Sequence, residues 1–257
     1  MTHKKRNIAK STINDKELNK PIRLNKFLAD AGITSRRKAD EIISDGKVMI
    51  NGIIVTNKAT TVLPTDVVSV QGNIVKHKKR HLYILLNKPK DYITTVVDEQ
   101  GRKTVLHLIN IDERIYPVGR LDRNTTGVLL LTNDGELAYR LTHPKYEIQR
   151  LYSVVLDKPL RREYAEKIAQ GIDLDGETTS PCEIFISPDD HKKLTMILKE
   201  GKNREVKRIF EKFGLEVRKL DRKMFAGLTT QGLKRGEFRF LNRKEILALK
   251  KSVGLEN

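Results

Sequence analysis

One aspartate stands between two arginines in the stretch Val118-Gly119-Arg120-Leu121-Asp122-Arg123-Asn124-Thr125-Thr126-Gly127, just ahead of the apolar run Val128-Leu129-Leu130-Leu131. A carboxylate held before a buried strand can act as a nucleophile. The flanking Arg120 and Arg123 would keep it ionised if they approach it. A structural ion-pair network has the same local appearance, so both readings stay open on these residues alone. Asp134 lies in an Asn-Asp-Gly turn, whose obvious use is turn chemistry. The paired carboxylates of a glycosidase are therefore not indicated. No histidine is close enough in sequence to suggest a nucleophile–base pair. Gly119 and Gly127 allow the backbone to bend sharply or to pass close to a substrate.

The elements that must position this aspartate span residues 83–250. Tyr83 to Leu86 reads as a buried strand that stops at Asn87-Lys88-Pro89, and Val128 to Leu131 as another. Tyr152 to Leu156, Glu183 to Ile186 and Leu194 to Leu198 follow as strands, while residues 161–170 and 203–213 have helical patterns. Strands outnumber helices and do not alternate strictly with them. The expected fold class is α+β with a mixed, mostly antiparallel sheet. Lys199 to Lys223 holds ten Lys/Arg against five Asp/Glu, which reads as an RNA-facing wall in a chain with such a basic excess.

Residues 21–70 form a separate expected unit. Ile22, Leu24, Phe27, Leu28 and Ala31 recur at helical spacing, with Gly32 as a stop. Ser35 can cap a second helix whose inner face carries Ala39, Ile42 and Ile43. Arg36, Arg37 and Lys38 crowd the first turn of that helix, where the positive dipole end disfavours cations. Their placement points to a partner outside the helix, such as phosphate groups. Asn51-Gly52 between two β-rich runs predicts a hairpin with a type I′ turn. Residues 1–20 carry six Lys/Arg and two Asp/Glu without apolar periodicity and read as a disordered basic arm. Residues 71–82 read as a basic linker and 251–257 as a tail.

The composition narrows the partner. A formal net charge of +17 in 257 residues argues for a polyanion. No apolar run approaches the roughly 18 residues needed to span a bilayer, and the N-terminus has no apolar segment typical of a secretory signal. The single cysteine, Cys182, fits a reducing cytoplasm. The six histidines are scattered singly, without metal-ligand spacing.

Two family resemblances rest on these stretches. RLNKFLADAGITSRRKADEIISDGKVMINGIIV resembles the S4 RNA-binding domain, with two short helices, a basic cluster and a hairpin in one order. GRLDRNTTGVLLLTNDG resembles the signature of pseudouridine synthases of the RsuA/RluB/RluE/RluF family. LLNKPKDYITT, HPKYEIQRLYSV and EGKNREVKRIFEKFGLEVRKL agree with further family segments in the same order. So do Leu233, Gly236, Arg239 and Leu241 at the end.

The resemblance implies isomerisation of a uridine within an RNA chain, with no cofactor or metal and no nucleotide. It implies Asp122 as the nucleophile toward base or sugar, Tyr152 against the target base, and Lys207 as the basic partner of the aspartate. Val206 would line the uracil pocket, and Arg120 would fill the gap left by a flipped base or contact phosphate. Arg204 and Thr125 are expected to contact substrate beside them, and Arg36, Arg37 and Lys38 to grip structured RNA. Two positions depart from the family: Asp91 stands where glycine is usual, and Glu205 where glutamine is common. A side chain at 91 would strain a turn of positive φ, and a carboxylate at 205 cannot donate hydrogen bonds as an amide does.

The expected partner is ribosomal RNA or a pre-ribosomal particle, of the large subunit first and the small subunit as the alternative, with the protein working as a cytoplasmic monomer. Two rival classes remain. A non-catalytic S4-type assembly factor would not need Asp122. A helix-turn-helix DNA regulator using residues 22–45 would not need the hairpin.

Overall fold

The structure is a computed structural model that describes residues 21–76, 81–96, 98 and 100–255. The basic arm expected over residues 1–20 lies outside the described residues. The chain divides into two compact units between residues 80 and 81.

The first unit runs β1 (Ile22–Arg23), α1 (Leu24–Asp30), α2 (Arg36–Ser44), β2 (Val48–Ile50), β3 (Ile53–Val55), β4 (Thr61–Val62), β5 (Val68–Val70) and β6 (Asn73–Ile74). Leu24 and Leu28 of α1 and Ala39 and Ile43 of α2 bury against Val48, Val62 and Val68. The Ser35 hydroxyl caps α2 by accepting from the Lys38 N–H at 3.2 Å. Asn51 and Gly52 join β2 to β3 with φ of 52° and 84°, the two positive values that a type I′ turn requires. Ile22 is not helical, because it pairs with Val62 across β1 and β4. The expected linker also begins too early. Gln71 and Gly72 turn the chain so that β6 pairs with β5, and Val75 returns to the core.

The second unit runs β7 (Tyr83–Lys88), β8 (Tyr116–Pro117), β9 (Thr126–Thr132), α3 (Gly135–Thr142), β10 (Arg150–Leu156), α4 (Arg162–Gln170), β11 (Asp173–Leu174) and β12 (Glu177–Thr178). It continues with β13 (Glu183–Ile186), β14 (Lys193–Leu198), α5 (Glu205–Glu211), β15 (Val217–Phe225), β16 (Leu228–Thr229), β17 (Phe238–Phe240) and α6 (Arg243–Ser252). The main sheet has the order β13-β14-β10-β15-β9-β7-β17, with β8 also on β9 and β16 on β15. Its one parallel pairing among the described residues joins β15 to β9, so the sheet is mixed and mostly antiparallel.

Tyr83 to Leu86 of β7 and Val128 to Leu131 of β9 are apolar on every residue because both faces of these strands are covered. Ile84, Leu86, Leu129 and Leu131 enter one core with Val154, Ile209 and Phe210. Tyr83, Leu85, Val128 and Leu130 enter the other with Leu137, Leu141 and Leu249. Asp134 caps α3 by accepting from the Leu137 N–H at 3.1 Å and also accepts from the Tyr83 hydroxyl at 2.8 Å. The residues expected as a tail extend this second core: α6 reaches Ser252, Val253 is buried, and Leu255 packs beside it.

The parallel pairing is close. A Cβ on Gly127 would lie 2.1 Å from the Arg222 carbonyl oxygen, and Gly127 has φ of 106°. Only glycine fits there without parting the strands. Gly127→Ala is therefore expected to lose at least about 3 kcal/mol of stability in urea unfolding. A loss below about 1 kcal/mol would contradict this constraint.

Candidate active site

Asp122 lies in the segment that connects β8 to β9. The Val118 N–H donates to the Leu130 carbonyl at 2.8 Å, which anchors the start of the segment on β9. Gly119 then turns the chain with φ of 69°. The Thr94 hydroxyl donates to the Leu121 carbonyl at 2.7 Å and accepts from the Leu121 N–H at 3.2 Å. The Thr125 N–H donates to the Asp122 carbonyl at 3.0 Å and closes a turn over residues 122–125.

That turn is built around Lys88, the last residue of β7 and 0% exposed. Its ammonium donates to the carbonyls of Asp122, Arg123 and Pro89, each at 3.1 Å, and of Thr125 at 2.8 Å. A buried cation needs such partners, since desolvation without them is expensive. Burial pulls Lys88 down to about 8, with the Asp122 and Asp91 carboxylates acting in the opposite direction.

Asp91 takes the left-handed conformation with φ of 66°, so the turn keeps the positive φ that a glycine would supply. Aspartate is one of the few other residues that adopt this region. The Asp91 N–H donates to the Arg123 carbonyl at 3.0 Å, and the Asp91 carboxylate pairs with the Arg123 guanidinium at 3.0 Å. Arg123 is thus directed to Asp91 and not to Asp122, contrary to the idea that the flanking arginines serve Asp122.

The cation at Asp122 comes from 85 residues further on. Val206, Ile209 and Phe210 bury one face of α5, and Lys207 projects beside that face, its side chain only 17% exposed. Its ammonium donates to Asp122 Oδ2 at 2.7 Å. A cavity of about 140 Å³ opens at this pair and is lined by Arg120, Thr125, Tyr152, Arg204, Val206 and Lys207, among others. Tyr152 sits on β10 and is mostly buried. Arg204 precedes α5 and pairs with Glu211 at 3.0 Å. Arg120 makes no ion pair or hydrogen bond among the described residues. It also lines a second, adjacent cavity of about 280 Å³ with Thr94, Arg102 and Arg123.

Three groups lining the first cavity are buried without partners among the described residues, Thr125 Oγ1, Glu205 Oε1 and Arg222 Nη2. Arg222 is otherwise fixed, since its Nε donates to the Val128 carbonyl at 2.8 Å and its guanidinium lies 4.7 Å from the Phe225 ring centre. The site therefore offers a carboxylate, an ammonium, an aromatic wall and free hydrogen-bonding groups to a small polar ring. Among the described residues, no three His, Cys, Asp or Glu side chains gather as metal ligands would.

Asp122, Tyr152, Lys207, Arg120, Val206, Arg204 and Thr125 thus surround one cavity. Arg36, Arg37 and Lys38 are exposed on α2 of the other unit, with Lys38 paired to Glu41 at 2.6 Å. Lys88, Thr94 and Arg222 were not anticipated. Lys88 carried a signal, a lysine closing an otherwise apolar strand. Thr94 and Arg222 carried none, because their partners are far away in sequence.

The model of the RNA pseudouridylate synthase family matches residues 82–212, and the model of the S4 domain matches residues 22–68. The chain belongs to the RNA pseudouridylate synthase family, isomerases that act on RNA. It is 43% identical over 233 residues to the ribosomal large subunit pseudouridine synthase B of Bacillus subtilis (strain 168), covering 89% of this chain and 95% of that one. It is 32% identical over 237 residues to the dual-specificity RNA pseudouridine synthase RluF of Escherichia coli (strain K12), covering 90% of this chain and 79% of that one. A crystal structure of a pseudouridylate synthase superposes with a TM-score of 0.66 at 30% identity, over 89% of this chain and 99% of that one. No helix among the described residues is long and apolar enough to cross a membrane.

Lys88→Met keeps much of the buried volume but leaves loop carbonyls without a donor, each a cost of about 1–3 kcal/mol. We expect a lower melting temperature and a fall of at least about tenfold in the single-turnover rate of pseudouridine formation. A variant with unchanged rate would show that Lys88 does not position Asp122.

Proposed function

We propose that this chain converts one uridine of ribosomal RNA to pseudouridine, with Asp122 as the nucleophile. The observation that carries this reading is the Lys207–Asp122 contact of 2.7 Å at the mouth of a cavity also lined by Tyr152 and Val206. Large-subunit RNA is the proposed substrate. The support is the 43% identity to a relative named as a large-subunit enzyme, over nearly the whole of both chains.

In this reading Asp122 adds to the base at C6 or to the ribose at C1′. The C1′–N1 bond breaks, the uracil turns, and C5 bonds to C1′. The hydrogen on C5 then leaves as a proton, and Asp122 is released. Lys207 holds the attacking oxygen in place. Val206 and Tyr152, which line the cavity, are proposed to flank the ring, with the Tyr152 hydroxyl helping in removal of the C5 proton. Thr125 Oγ1 has no partner within the described protein and so is available to the ring's polar edge.

A stacked base cannot reach this cavity and must be flipped out, at a cost of a few kcal/mol. Arg120 is proposed to offset that cost by filling the space in the RNA, since its guanidinium is not engaged by the described protein and can both stack and pair. Arg204 adds a cation at the rim. Arg36, Arg37 and Lys38 are proposed to contact phosphates of a structured RNA, which the S4 domain would grip by shape. The proposed working form is a monomer in the cytoplasm.

The test uses large- and small-subunit ribosomal RNA transcripts, and precursor particles, carrying tritium at uracil C5. Wild type should release tritium from large-subunit substrate, and Asp122→Asn should be slower by at least about a thousandfold while RNA affinity changes less than about threefold. Release from small-subunit RNA alone would overturn the substrate assignment. A loss of affinity equal to the loss of rate would overturn the role of Asp122.

A further inference from the structure

Glu205 is the first residue of α5, immediately before Val206 and Lys207, and is only 4% exposed. Its Oε2 accepts from the Lys202 N–H at 3.0 Å, and its own N–H donates to the Lys202 carbonyl at 3.2 Å. Its Oε1 is buried with no donor reaching it. The carboxyl group that faces Glu205 is that of Glu200, whose side chain is 12% exposed and accepts from the Ser180 N–H at 2.5 Å. Two carboxyl groups that face each other away from water cannot both be charged, and a bond between them needs a proton.

The surrounding groups supply no alternative donor. On β10, the Arg150 guanidinium donates to the Ile148 carbonyl at 2.8 Å and lies 5.6 Å from the Phe225 ring centre, with Tyr152 beyond it on the same strand. On β15, Arg222 is held by the Val128 carbonyl. Lys202 reaches Glu200 only at 3.8 Å while donating to the Thr178 carbonyl at 2.7 Å. Cys182 stands just before β13, its thiol pushed up to about 11 by burial and then by the charges of Glu205 and Glu200.

We propose that Glu205 is a positioning residue that works as a neutral acid, donating its proton to Glu200 and so fixing the start of α5 from which Val206 and Lys207 reach the cavity. Glutamine could do the same, since its amide is a permanent donor. Glu205 thus supplies a donor that titrates where a glutamine would supply a fixed one. Burial first, and the facing Glu200 second, push Glu205 up to about 8. Burial opposes ionisation of Glu200 too, but the Ser180 N–H, the Glu205 carboxyl group and Lys202 outweigh it and hold Glu200 below the usual carboxylate range. Because the folded Glu205 holds its proton more tightly than the unfolded chain does, the contribution of Glu205 is fully present below about pH 4.5. Its contribution fades as pH rises and is gone above about pH 8.

The experiment compares wild type, Glu205→Gln and Glu205→Ala. Melting temperatures are measured from pH 5 to 9, and single-turnover rates on the transcripts described above from pH 6 to 9.5. Between pH 5 and 8 the wild-type melting temperature should fall relative to that of Glu205→Gln. The wild-type rate should fall above pH 8 by up to about tenfold per unit. Glu205→Gln should lack that alkaline loss and keep at least about half of the neutral rate, whereas Glu205→Ala should lose about tenfold at every pH. A constant melting difference, or an alkaline loss that persists in Glu205→Gln, would overturn the proposal. The rate measurements rest on the function proposed for Asp122 and Lys207, but the melting measurements do not. If no RNA is turned over, that function fails while the melting difference still decides whether the proton is shared.

Discussion

A single buried ammonium organises the site. Lys88 has no access to water, so its charge is tolerable only because four backbone carbonyls converge on it. Three of those carbonyls belong to Asp122, Arg123 and Thr125. The cost of burying the charge and the shape of the turn that carries Asp122 are therefore the same problem. A turn that drifted would strand the cation. Thr94 adds a second hold on Leu121 from the opposite side, and the Lys207 ammonium meets the carboxylate that the turn presents.

The sheet makes this arrangement possible. Lys88 ends β7 and Thr126 begins β9, and these strands are antiparallel neighbours with Lys88 opposite Gly127. The end of one strand thus lies directly beneath the turn that starts the other. On its other side β9 accepts β15 in parallel, across a glycine that leaves no room for a side chain. That contact brings Arg222 into the cavity wall, while β10, the next strand out, brings Tyr152. A surface of net charge +17 would attract RNA without selecting a base. We propose that selection falls to the side chains of the cavity, where the Asp122 carboxylate lies with Lys207, Arg120, Arg150 and Arg222.

Much of this was legible in the sequence, for identifiable reasons. The apolar runs at Tyr83 to Leu86 and Val128 to Leu131 marked strands covered on both faces, and Asn51-Gly52 marked its hairpin because both residues accept positive φ. The partnership of Asp122 with Lys207 was legible only through resemblance, since 85 residues separate them and no local pattern links them. Arg123 misled because adjacency in sequence suggested a pair, while the turn directs its guanidinium to Asp91. The role of Lys88 was hidden because it makes its contacts with backbone carbonyls, which every residue has. The ends of the two units were misread for a related reason. β6 and the residues after α6 are short, and they are ordered by the core they complete and not by a strong pattern of their own.

The buried Lys88 ammonium sets the position of the turn that carries Asp122. A crystal structure of Lys88→Met tests it most directly. We expect β7 and β9 to superpose on the wild type while residues 122–125 shift and the 2.7 Å contact between Lys207 and Asp122 is lost. An unchanged turn with that contact intact would contradict the claim and would leave Thr94 and the β8–β9 connection as sufficient to hold Asp122.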